Sequence, residues 1–86
     1  MRKLNLKLIY AAMQSCCTGY DNVEVRCTQE DGILLQWEYS NNGEPVMHTM
    51  EYVSTPMLSR VDDVVLNEGL LHLIGYAKQR IRGGSI

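Results

Sequence analysis

The side chains in this chain that could do chemistry are few and scattered. His48 and His72 are its two imidazoles, the groups that could move protons near neutral pH. Both sit in apolar company: His48 lies between Val46 and Met50, His72 among Leu70, Leu71, Leu73 and Ile74. That setting favours a half-buried structural histidine over a catalyst. Asp62-Asp63 pairs two carboxylates, the raw material of general acid–base work. Neighbours on a helix diverge by about 100°, so these two cannot share one substrate atom; early in a helix they complement its dipole instead. Cys16, Cys17 and Cys27 are an odd number of thiols without a C-x-x-C spacing or a nearby histidine. They read as reduced, apolar core side chains of a cytoplasmic protein, not as a disulfide framework or a metal site. No G-x-S-x-G, H-E-x-x-H, phosphate-loop, dinucleotide or zinc pattern occurs. The expectation is a protein without catalytic residues, cofactor or metal.

The elements that would position these residues follow from apolar spacing. Leu6, Ile9, Tyr10, Met13, Cys16 and Cys17 recur at helical intervals. Asn5 is placed to cap that helix, and Gly19 to end it. Val23, Val25 and Cys27 then alternate with polar residues, as do Ile33, Leu35, Trp37 and Tyr39, and after them Val46, His48, Met50 and Tyr52. The turns Glu30-Asp31-Gly32 and Asn41-Asn42-Gly43-Glu44-Pro45 join three neighbouring antiparallel strands. Pairing is expected to resume only after Pro45, which has no N–H to give. Ser54-Thr55-Pro56 signals the start of a last helical region running to Arg82, with Gly83-Gly84 as its stop. Asn67-Glu68-Gly69 is expected to kink or break it. The predicted order is α-β-β-β-α: an α+β fold, a single domain over residues 1–86, with a three-stranded antiparallel meander and the helices packed on one face.

Eighty-six residues with 45% hydrophobic and 21% charged side chains suffice for one small core. They exclude a large enzyme, a tandem array and wholesale disorder. The opening Met1-Arg2-Lys3 before apolar residues has the look of a secretory leader, but Asn5 and Lys7 interrupt the apolar run, so no leader is expected. No run is long enough to span a bilayer.

The near-neutral net charge of −2 conceals a segregated layout. All ten acidic residues lie between Asp21 and Glu68, where only Arg26 and Arg60 oppose them, a net of −8. The two ends hold Arg2, Lys3, Lys7, Lys78, Arg80 and Arg82 with no acid, a net of +6. On the predicted strands Glu24, Glu38 and Glu51 project away from the apolar face, and Glu30, Asp31 and Glu44 sit in the turns. Such a field attracts basic partners and repels nucleic acid.

The element order resembles that of double-stranded-RNA-binding domains, in topology only. Those domains present basic residues at the start of the last helix and in the first strand loop. This chain has Arg60-Val61-Asp62-Asp63 and Gln29-Glu30-Asp31-Gly32 there, which argues against that surface. In size, charge and element order the chain also resembles some short acidic phage-encoded inhibitors, certain anti-CRISPR proteins among them.

The function expected is therefore non-catalytic binding of a protein partner with a basic surface, as an inhibitor or adaptor of that phage-encoded kind. Glu24, Glu30, Asp31, Glu38, Glu44 and Glu51 would dock, with Tyr20 and Tyr39 as anchoring aromatics. The alternatives are a nucleic-acid binder using Lys3, Lys7, Lys78, Arg80 and Arg82, and a homo-oligomer held by charge pairing plus surplus apolar surface at Val64 and Leu66.

Overall fold

The structure, a computed structural model, describes residues 4–30, 32–54 and 62–83. Its elements run α1 (Leu6–Ser15), β1 (Asp21–Gln29), β2 (Gly32–Asn41), β3 (Glu44–Ser54) and α2 (Asp63–Arg82). This is the expected α+β order, and the three strands form one antiparallel sheet in the order β1-β2-β3. No described helix is long and apolar enough to cross a membrane.

The alternation seen in the sequence becomes the two faces of the sheet. Val25 pairs with Trp37, and Trp37 with His48; Cys27 pairs with Leu35, and Leu35 with Met50. Side chains in one such row share a face, so this is the inner face. Ile33, Leu35 and Trp37 in the middle strand are almost wholly buried, together with Ile9, Met13, Cys16 and Cys17 from the first helix and its following turn, and Leu66, Leu70, Ile74, Ala77 and Ile81 from α2. The Trp37 indole N–H is satisfied inside this core by the Met13 carbonyl at 3.0 Å, which fixes α1 over the sheet.

The two helices lie side by side on the inner face and point the same way. Near their starts the Asn5 N–H donates to Asn67 Oδ1 at 2.7 Å. Farther along, the Cys16 thiol meets the Ile74 carbonyl at 3.6 Å, and at the far end Arg82 donates to the Thr18 carbonyl at 2.6 Å. Helix α2 runs along β3 in the opposite direction, with Gly69 against Tyr52 and Arg80 beside His48.

Three local expectations change. First, α2 passes through Asn67-Glu68-Gly69 without a break. The Asn67 amide donates to the Asp63 carbonyl at 2.7 Å, and its Oδ1 accepts from the Asn5 N–H. Gly69 is small because the Tyr52 ring lies against it; a Cβ there would fall on the tyrosine hydroxyl and 2.7 Å from Cζ. The cap is Asp62, whose carboxylate accepts from the Val64 N–H at 3.1 Å, with Asp63 in the first turn. The Thr55-Pro56 part of the proposed helix start lies outside the described residues.

Second, the ladder starts before Pro45. Asn41 pairs with Glu44, and Ser40 with Pro45, because Asn42 (φ 55°) and Gly43 (φ 85°) make a two-residue turn of left-handed residues. The residue after the closing pair of such a turn points its N side away from the partner strand. On the edge strand β3 a proline there removes no ladder bond. Third, Leu66 is core and not surplus surface, whereas Val64 is 64% exposed.

Candidate functional site

Two surfaces gather polar chemistry, one on each side of the sheet. On the outer face the register makes three central cross-strand rows, Glu24-Glu38-Met47, Arg26-Gln36-Thr49 and Thr28-Leu34-Glu51, with Asp21-Ser40-Pro45 beyond the first of them. Rows two residues apart along a strand lie about 7 Å apart, so the acids form two spots roughly 13 Å apart. In the first, Glu24 sits directly opposite Glu38. In the second, Glu30 and Glu51 border a shallow hollow floored by Thr28, Gly32 and Leu34. Arg26 is the only cation on this face among the described residues. It reaches Glu24 at 3.9 Å with both side chains about two-thirds exposed, a pair worth little in water. Met47 is 59% exposed beside Glu38. Glu24, Glu38 and Glu51 are therefore where the alternation put them, and Glu30 joins them.

The rest of the expected acidic set does not gather here. Asp31 lies outside the described residues. Glu44 pairs with Asn41, and that parity puts it on the side of Val46 and His48, away from Glu38. The anchoring aromatics are also on the other side: Tyr39 is buried on the inner face, and Tyr20 is half-buried against it. Neither is available to a partner docking on the outer face. The exposed apolar side chain there is Met47. The hairpin register identifies it, and simple alternation on β3 could have found it.

The second surface is a groove of about 380 Å³ at the inner-face rim, where the last turn of α2 meets the β2–β3 hairpin. Its wall is a run of rings. Tyr20 stacks on Tyr39 at 4.5 Å between ring centres, and Tyr39 lies nearly parallel to His48 at 5.9 Å, with an interplanar angle of 9°. Tyr39 Oη and His48 Nε2 share a hydrogen bond of 3.1 Å, and the Tyr20 hydroxyl donates to the Ile81 carbonyl at 3.4 Å. Burial raises the Tyr39 hydroxyl above its usual range, helped by the neighbouring Tyr20 and Cys17. Arg80 and Arg82 form the opposite rim.

Of the expected basic set, Arg80 and Arg82 meet at this rim, and Lys78 stands one turn before Arg82. Lys7 does not join them. The helices are parallel and Asn5 is level with Asn67, so Lys7 falls about 13 Å short of Lys78 along the axis. Lys3 lies outside the described residues.

The three thiols are free, with Cys16 and Cys17 buried and Cys27 half-buried. Desolvation raises all three, Cys17 to about 11. At neutral pH they are protonated and poor nucleophiles. No three His, Cys, Asp or Glu side chains among the described residues are grouped to hold a metal. His72 is exposed on α2.

Comparison of the chain with known protein families, curated proteins and solved structures finds no match.

Proposed function

We propose that the protein is a non-catalytic binding protein, an inhibitor or adaptor whose outer sheet face docks on a basic surface of a protein partner. The observation that supports this reading is the Glu24–Glu38 pair. Like charges directly opposite one another in an antiparallel ladder destabilise the sheet, and a neutral residue at either position would fold more easily. A partner cation placed between the two carboxylates removes that repulsion and leaves a gain in binding. The hollow between Glu30 and Glu51 adds a second point for an arginine or lysine, with the methylenes of that side chain over Leu34. Met47 supplies the apolar contact that charge alone lacks. Four of the six expected acids lie on this side of the sheet: Glu24, Glu30, Glu38 and Glu51.

A titration of the isotopically labelled protein with an arginine-rich peptide tests the surface. Amide shifts should concentrate on the outer rows, and E38K/E51K should abolish both the binding and its salt dependence. Shifts scattered over the molecule, or affinity untouched by the double reversal, would overturn the reading. The same variant then serves as the control in capture from cell extract treated with nuclease: the true partner is the protein held by the native chain and lost by E38K/E51K.

A further inference from the structure

The rim groove has a chemistry unlike the rest of the molecule. Ten acidic residues outnumber the basic ones in this chain, yet among the described residues no carboxylate side chain lines the groove. Arg80 has no hydrogen bond or ion pair among the described residues. Arg82 spends one N–H on the Thr18 carbonyl, which leaves further donors of its planar guanidinium for a ligand. The carbonyl end of α2 carries partial negative charge, so an anion at this place is held by these side chains and not by the helix. Facing them, the Tyr20, Tyr39 and His48 rings are already oriented by their own stacking and hydrogen bonds, so little ordering is required on binding.

We infer that this groove binds a nucleotide, with its phosphate on Arg80 and Arg82 and its base against the Tyr20 and His48 side of the ring wall. Guanidinium groups recognise phosphate through paired N–H donors, and flat aromatic surfaces accept any base by stacking. The volume lies at the small end of ligand sites, which run from roughly 300 to 1,000 Å³. One nucleotide fits that scale, whereas a duplex tract would have to lie along the acidic molecule beyond the rim. The same chemistry is offered by a free mononucleotide and by the phosphorylated end of a single strand. The inference does not rest on the outer face, and E38K/E51K should leave it intact.

The test is a set of titrations followed by amide shifts of Tyr39, Asn41, His48 and Arg80. The probes are adenosine monophosphate, adenosine, inorganic phosphate, a short 5′-phosphorylated thymidine strand and a glutamate-rich peptide. The monophosphate and the strand should both shift these amides, and adenosine or phosphate alone should do so only at much higher concentration. R80Q, exposed and without a partner among the described residues to lose, should fold normally and weaken binding roughly tenfold. E44Q, which removes the acid paired with Asn41 at the groove mouth, should strengthen binding. Tighter binding of the strand than of the mononucleotide, lost on removing its 5′-phosphate, supports a strand end as the ligand. Equal binding supports a free nucleotide. No shift at millimolar nucleotide, affinity indifferent to R80Q, or an equal response to the acidic peptide would each overturn the inference.

Discussion

The two faces of one three-stranded sheet obey opposite rules here. On the inner face the central rows, Val25-Trp37-His48 and Cys27-Leu35-Met50, are apolar or aromatic, and the buried polar atoms among them are satisfied: the Trp37 indole by the Met13 carbonyl, the Tyr39 hydroxyl by His48. On the outer face Glu24 opposes Glu38, and Met47 lies open beside them. The inner face is optimised for folding. The outer face carries a like-charge pair of the kind that antiparallel ladders disfavour. The contrast is sharp because adjacent residues of β2 alternate between the two.

Substitutions on β2 should show that contrast most strongly. Leu35→Ala should cost about 2–5 kcal/mol by opening a cavity under both helices. Leu34→Ala, one residue away on the outer face, should cost less than about 1 kcal/mol. Chemical denaturation followed by Trp37 fluorescence measures both. Similar losses at the two sites would mean that the outer face is packed after all.

Gly69→Ala should come next, at roughly 1–3 kcal/mol, because the new methyl displaces the Tyr52 ring. Gly75→Ala is the control on the same helix, since a Cβ there meets nothing and alanine favours a helix interior.

The core between the helices and the inner face also carries the pH response. Cys17 titrates at about 11 in the folded protein against an ordinary 9.0. The unfolded chain therefore loses this proton first as pH rises. Stability is whole below about pH 9 and falls between there and pH 11, by on the order of 2 kcal/mol. Cys16 and Cys27, shifted the same way, add to the fall. Urea midpoints taken from pH 7 to 11 should decline, and Cys17→Ala should flatten the decline.

The smallest expected effect has the opposite sign. Glu38→Gln should raise stability by about 0.5 kcal/mol through relief of Glu24, and added salt should shrink the difference between the two proteins. A loss of stability in E38Q would show that Glu38 serves the fold, and the comparison of faces would fail at its clearest row.

Much of this was legible in the chain. Period-two alternation and two short turns fix three antiparallel strands and which residues share a face, since a one-residue slip would turn every side chain over. Glu24, Glu38 and Glu51 followed from that alone. The errors fall where the deciding partner is remote in sequence. Asn67 and Gly69 resemble a helix break until Asn5 and Tyr52 arrive beside them. Glu44, expected in the turn, belongs to β3 with the parity of the inner face because the turn closes at Asn41–Glu44, before the proline. The rim groove brings together Tyr20, the β2–β3 hairpin and the last turn of α2, so its residues could be noted singly but not as a group. Parallel helices, which separate Lys7 from Lys78, left no periodic signal at all.

The parallel pairing of α1 with α2 has a consequence for how the chain is made. Of the two described helices, the one synthesised before the sheet packs against the one synthesised after it. Until residues 66–81 emerge, Ile9, Met13, Cys16 and Cys17 lack the α2 side chains of their shared core, and Asn5 and Thr18 lack their partners Asn67 and Arg82. The meander between them can pair as soon as it is synthesised, because its contacts are local. A half-made molecule is thus a sheet with a bare apolar face and an amphipathic helix beside it, the kind of intermediate that invites chaperones or misassociation.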